Sequence, residues 1–180
     1  KKVAEQLGIP CYDSELIQKI AEESGFAENY VKEAGEYTPG GFLSSALSNR
    51  AFGPTNEDIL WEIQCRVISE LAEKGPCVIV GRCADYILKN RPDVVRVFVH
   101  ADPEFCFEQA MKVDSLPENE VRKKIAEIDE YRARYYKHHT GHDWYDARNY
   151  DISINSGVLG FEGAVEEIIK YMEVRSEFDK

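Results

Sequence analysis

Short apolar runs alternate with helical periodicities along this chain, and that alternation limits its possible folds more than any other feature. The runs are Ile9 to Tyr12, Cys77 to Val80, Val94 to Ala101 and the alternating "YDISINS". Between them, Leu16, Ile17 and Ile20 repeat at helical spacing, as do Ile59, Leu60, Ile63, Val67, Ile68 and Leu71. Short apolar runs bounded by turn residues read as buried strands, and i, i+3, i+4 spacing reads as helix. Strands that alternate with helices predict an α/β fold, with a parallel sheet covered on both faces. At 180 residues, with no repeat, low-complexity tract or linker, the chain reads as a single domain over residues 1–180.

Local signals set the expected boundaries. Gly8 ends a first helix containing Val3, Ala4 and Leu7, and Pro10 cannot continue it. Ser14 is the expected N-cap of the next helix and Gly25 its stop. Residues 25–56 are rich in Gly, Ser, Pro and Asn, and read as a mobile excursion with a short helical core around Phe42 to Leu47. Thr55 or Asn56 caps a strong helix whose first turn is acidic. Further helices are expected from about Ala84 to Asn90, after Asp102-Pro103, over residues 117–137, and in "GFEGAVEEIIKYM". "HHTGHDWYDARN" reads as a loop.

Charge narrows the partners. A net charge of −11 argues against nucleic acid or an anionic membrane as a general partner. An anionic ligand therefore needs a local basic cluster. Five cysteines without a CxxC pair argue against a disulfide scaffold or structural zinc, and for a reducing compartment. No apolar run reaches membrane-spanning length and no signal peptide is visible, so the expectation is the cytoplasm. The chain starts at "KKVAEQLG", within an element, which leads us to expect residues upstream.

In parallel sheets, ligands bind beyond the carboxyl ends of the strands. Three expected strand tips carry Asp13, Arg82 and Asp102, and the first two are candidates for one shared site. An arginine fork matches two oxygens of a phosphate or carboxylate, and Gly81 beside Arg82 allows close backbone approach. The plainer alternative is a structural arginine, paired with Asp85 or with a helix C-terminus. Asp13 and Ser14 form a cap in the plain reading, but Asp13 could also serve a ligand hydroxyl or a metal-bound water.

The segment Arg122 to Lys137 holds six basic and three acidic residues inside this acidic chain. Asp129 and Arg132, three apart, share a helical face. Such a helix suits a lid over phosphates, or it is a solvated surface helix. His138, His139, His142 and Asp143 lack a helical HExxH frame, so the expectation is no metal site there. Cys83 has no histidine near it in sequence and is a poor nucleophile candidate. Tyr135 and Tyr136 could stack on a base or pack against the domain.

Taken in order, "LGIPCYDSELI", "VIVGRCADYIL", "VVRVFVHADPE", "IDEYRARYYKHHTGHDW" and "NYDISINS" resemble the cytidylate kinase-like family of P-loop nucleoside monophosphate kinases. The resemblance spans nearly the whole chain. It implies a three-layer P-loop NTPase-type parallel sheet with helices on both faces. It also implies a helical substrate-binding excursion (25–56) and a basic helical lid (103–149). The implied activity is ATP-dependent phosphoryl transfer to a CMP- or dCMP-like acceptor, with ATP and Mg2+ as cofactors and small nucleotides as partners. No GxxxxGK is present, so the family's phosphate loop is expected upstream of Lys1.

Position by position, "YDSELI" resembles the family's "DSG" turn, so Asp13 and Ser14 would face the monophosphate. "VGRC" resembles "DGRD", so Arg82 would hold the acceptor phosphate or transition-state charge. Asp129 and Arg132 resemble the lid residues that contact nucleotide, and Arg134 would help balance charge there. Arg82 and Arg132 are the implied catalytic residues. The pattern departs at Val80 and Cys83, which replace two acids, at Ile125, where arginine is frequent, and in "EFCFEQAMK", which lacks the usual arginine. A non-catalytic nucleotide-sensing module, or a kinase for another small metabolite on the same fold, stays open.

Overall fold

The computed structural model describes residues 1–33, 55–113 and 115–178. The expected helical core around Phe42 to Leu47 lies outside them. Helix α1 (Lys2–Leu7) stops at Gly8, where φ of +66° turns the backbone left-handed and the amide closes on the carbonyls of Ala4 and Glu5. Strand β1 (Cys11–Tyr12) leads into α2 (Ser14–Ser24) and then α3 (Glu28–Glu33). Ser14 is the first residue of α2 and Asp13 holds the cap position, one residue earlier than the expected cap. Gly25 ends this helix as expected, with φ of +70°.

Helix α4 (Asn56–Glu73) begins with a reciprocal cap. The Thr55 hydroxyl accepts from the Asp58 amide, and the Asp58 carboxylate accepts from the Thr55 amide at 2.8 Å. Then follow β2 (Val78–Ile79), the one-turn α5 (Ala84–Ile87), β3 (Val97–His100) and α6 (Pro103–Met111), which Asp102 caps through the Phe105 amide. Helix α7 (Glu118–Thr140), a 3-10 turn (Ala147–Asn149), β4 (Ile152–Asn155) and α8 (Ser156–Phe178), interrupted at Gly160 with φ of +70°, complete the chain.

Both strand pairings are parallel, as the alternation implies. Tyr12 lies opposite Ile79 in one pair, and Val97 to His100 run opposite Ile152 to Asn155 in the other. Among the described residues these are two separate two-stranded sheets and not one continuous sheet. The strands are also shorter than the apolar runs that encode them. Val80 and Val99 remain substantially exposed.

The main core joins α2 to α4 over the β1–β2 pair. Leu16, Ile17 and Ile20 meet Leu60, Val67, Ile68 and Leu71, with Tyr12 and Ile79 packed against them. A second, aromatic cluster surrounds Cys83 with Tyr135, Tyr136, Trp61, Tyr86 and Trp144. Helix α7 belongs to this cluster and runs further than the charge pattern suggests. His138 and His139 are helical because the turn continues until Gly141, whose φ of +75° ends it, while Thr140 Oγ1 donates to the Tyr136 carbonyl at 2.7 Å. The solvent face of α7 is laced by ion pairs: Lys123 with Glu127, Arg132 with Asp129, Arg134 with Glu130, and Arg122 with Glu104 of α6. All five cysteines are free. Among the described residues, no helix is long and apolar enough to cross a membrane.

The start of the β3–β4 pair is locked by Arg96 and Asp151. The Arg96 amide and guanidinium both donate to the Asp151 carboxylate, the shortest contact being 2.6 Å, and the Asp151 amide returns a bond to the Arg96 carbonyl at 2.8 Å. Burial raises the Asp151 pKa, but the bonds and charge of Arg96 outweigh it and hold the carboxyl below its usual value. A depressed folded pKa contributes stability that is complete above the unfolded value and is lost as pH falls through the folded one. Asp151→Asn should therefore cost about 1–2 kcal/mol at neutral pH, and the gap to wild type should close below about pH 4. Urea unfolding of both proteins at pH 7 and pH 3 checks this.

Candidate active site

The turn that follows β2 is unusual in its backbone. Gly81, Arg82 and Cys83 have φ of +72°, +55° and +56° in succession. Left-handed geometry is free for glycine but costs other residues about 1–2 kcal/mol each. Such a turn persists only where surrounding contacts hold it, and strained backbone of this kind concentrates at functional sites.

The Val80 amide donates to the Tyr12 carbonyl at 2.9 Å, so the tips of β1 and β2 lie side by side. This places Asp13 next to the Gly81–Arg82 turn along the backbone, as expected. Their side chains then part. Asp13 reaches Lys1 at 3.5 Å, whereas Arg82 turns inward and is 3% exposed. Its guanidinium donates to the Val31 carbonyl at 3.4 and 3.5 Å and to Gln64 Oε1 at 3.4 Å. These are long bonds to neutral oxygens.

Gln64 organises the surroundings. It is 2% exposed, its Nε2 donates to the Arg82 carbonyl at 2.9 Å, and its Oε1 also accepts from the Tyr135 hydroxyl at 3.3 Å. Glu57, Trp61 and Gln64 project from one face of α4 and, with Tyr135 and His139 of α7, line a recess beside Arg82. The His139 ring stacks on Trp61 with centroids 4.2 Å apart and planes 12° from parallel. Burial, and then the neighbouring His138, lower the His139 pKa from 6.5 to about 4. Burial raises the Glu57 pKa against an opposing effect of His138. The recess thus combines a permanent cation, a neutral imidazole and flat aromatic walls. The Glu57 carboxylate stands in the same recess.

Asp85, the plain partner suggested for Arg82, accepts the Tyr136 hydroxyl at 2.6 Å. Cys83 is 3% exposed within the aromatic cluster, a poor position for a nucleophile. Asp129 and Arg132 pair with each other at 3.2 Å, and Arg134 pairs with Glu130 at 3.5 Å. These residues precede Tyr135 and His139 on α7 and do not line the Arg82 recess. Nothing is described of the Ser14 side chain.

His138 is exposed, His139 stacks on Trp61, and His142 tilts against Tyr86. Among the described residues, no three His, Cys, Asp or Glu side chains gather to hold a metal ion. Magnesium that arrives with a nucleotide asks less of the protein, usually one or two carboxylates with the phosphates supplying the rest. Asp13, half-buried beside the turn, meets that demand.

Sequence reasoning missed Glu57, Trp61, Gln64 and His139. One signal was available. Gln64 falls between Leu60 and Val67 in the apolar stripe of α4, and a polar residue inside such a stripe needs a partner. His139 carried no comparable signal, because its burial depends on a helix packed from far away in the chain.

The chain is similar to known proteins along most of its length. The cytidylate kinase-like family matches the chain over residues 1–158. A cytidylate kinase of Archaeoglobus fulgidus is 29% identical over 177 residues, covering 97% of this chain and 87% of that protein. A cytidylate kinase of Pyrococcus horikoshii is 26% identical over 164 residues, covering 91% and 74%. The crystal structure of an uncharacterized protein from Eubacterium ventriosum superposes with a TM-score of 0.72 at 25% identity, covering 96% and 87%.

The His139 environment has a measurable consequence. Its folded pKa of about 4 lies below the usual 6.5, so the unfolded chain binds the extra proton first. The corresponding stability is complete above about pH 6.5 and is lost as pH falls toward 4. In a histidine NMR titration the His139 ring should show a midpoint near 4. A midpoint at the ordinary value would mean that the imidazole is not enclosed by Trp61 and Tyr135.

Proposed function

Because the chain belongs to the cytidylate kinase-like family, we propose that it transfers the γ-phosphoryl group of ATP to a nucleoside monophosphate, with CMP or dCMP as first candidates. One observation carries the reading. A buried guanidinium, Arg82, stands just past the end of a parallel strand and lines an aromatic-walled recess. The two relatives described as cytidylate kinases support the choice of acceptor.

In this reading Arg82 binds the acceptor phosphate and offsets its charge. Phosphoryl transfer asks chiefly for positioning and charge neutralisation, and a permanently charged planar fork does both. Arg132 and Arg134 on α7 face the nucleotide side and balance developing charge, with Asp129 orienting Arg132 through their ion pair. Asp13 and Ser14, which follow β1, would face the monophosphate as the family pattern implies. Trp61 and His139 wall off water on the acceptor side. Magnesium bound with ATP would neutralise the phosphate oxygens, and Asp13 would serve a metal-bound water.

The finer architecture is part of the same proposal. It comprises one three-layer P-loop domain, an acceptor-binding excursion over residues 25–56 and a lid over residues 103–149. The test uses the full-length protein. Five free cysteines fit a reducing cytoplasm. Cys83 is buried where the family pattern carries an acid, which favours testing acceptors beyond the cytidine nucleotides.

The test is ATP consumption with a panel of nucleoside monophosphates. Turnover is expected with at least one pyrimidine acceptor, and Arg82→Ala should lower it by about 10²–10³-fold. No turnover with any acceptor, or an Arg82→Ala variant as active as wild type, would overturn the proposal.

A further inference from the structure

Three residues of α4 line the recess at helical spacing. Glu57, Trp61 and Gln64 stand at i, i+4 and i+7, so they form one stripe along the helix. At about 1.5 Å of rise per residue, Glu57 lies roughly 10 Å along the axis from Gln64. The stripe therefore has two chemically different ends. At the Gln64 end is the Arg82 cation, whose guanidinium and carbonyl both bond to the Gln64 amide. At the other end, in the first turn of α4, is the Glu57 carboxylate. Trp61 lies between them and carries a flat ring, the His139 imidazole, at 4.2 Å and 12° from parallel. With its pKa lowered to about 4, that imidazole adds no charge between the two ends at neutral pH.

Opposite charges at the two ends orient a ligand. An anionic group is drawn to Arg82 and repelled by Glu57. A nucleoside monophosphate therefore enters with its phosphate at Arg82 and its base toward Glu57, and the stripe is comparable to it in length. A carboxylate accepts hydrogen bonds and cannot donate them. It accepts from the exocyclic amino group of cytosine, whereas uracil presents a carbonyl oxygen at the same position. Two acceptors then face each other and neither is satisfied.

We propose that Glu57 reads the base of the acceptor and selects one that presents an exocyclic amino group, cytosine over uracil. The inference rests on the reading of Arg82 as the ligand of the acceptor phosphate. It adds a specificity-determining residue at the far end of the same recess.

The test is calorimetric titration of full-length protein with CMP and with UMP at pH 8, well above the ordinary carboxylate range. Wild type should bind CMP at least about tenfold more tightly than UMP. Glu57→Gln keeps the shape but offers both a donor and an acceptor, so the two affinities should converge to within about threefold. Glu57→Ala should weaken CMP and leave UMP no weaker, which a merely structural loss would not do. Arg82→Lys should weaken both ligands alike and preserve their ratio, because it acts on the shared phosphate.

A CMP-to-UMP ratio unchanged in both Glu57 variants overturns the proposal, and so does a wild type without preference for CMP. If Arg82→Lys still weakens both ligands in that case, the acceptor reading stands and only the base reader falls. A ratio that follows Glu57 while Arg82→Lys changes nothing upholds Glu57 and removes the phosphate role of Arg82. Binding of neither nucleotide overturns both.

Discussion

Gln64 is a neutral amide buried in the apolar face of α4, and the geometry around Arg82 depends on how it is satisfied. Its two ends are used differently. The Nε2 group fixes the Arg82 carbonyl, and the Oε1 atom is shared by the Arg82 guanidinium and the Tyr135 hydroxyl. A buried amide with these partners rigidifies its surroundings, whereas one deprived of them carries the full cost of desolvation. The same group therefore ties α4, α7 and the turn after β2 into one unit. The left-handed backbone at Arg82 and Cys83 is tolerable because this unit surrounds it.

Helix α7 combines two roles that its charge pattern does not separate. Its C-terminal half packs Tyr131, Tyr135, Tyr136 and Thr140 into the protein. Its solvent face carries the pairs Lys123–Glu127, Asp129–Arg132 and Arg134–Glu130. Exposed pairs of this kind contribute little to stability. They hold the basic groups along the outer face of the helix while its inner face packs into the protein.

Much of the local structure was legible in particular residues. Gly8 and Gly25 adopt left-handed geometry at helix ends, Thr55 caps α4 together with Asp58, and Asp102 with Pro103 opens α6. Each signal acts within a few positions of itself, so no distant contact was needed to read it. The parallel pairing followed from strand–helix alternation for a similar reason. The misjudged details depend on remote partners. His138 and His139 looked like loop residues, yet the helix continues through them because their turn packs on Trp61 and Tyr135. Asp85 looked like a partner for Arg82, yet Tyr136, fifty-one positions away, reaches it.

The sequence by itself determined that the chain is α/β with parallel pairing, that Arg82 follows a strand, and that a basic helix lies downstream. Periodicity, caps and turn residues encode these points through short-range sterics and hydrogen bonding. Only the tertiary structure decided where the Arg82 side chain goes, which groups surround it and what keeps its backbone left-handed. Those outcomes arise from burial of polar groups. A buried donor or acceptor must find whichever partner the packed helices bring within reach, and sequence spacing carries no record of that distance.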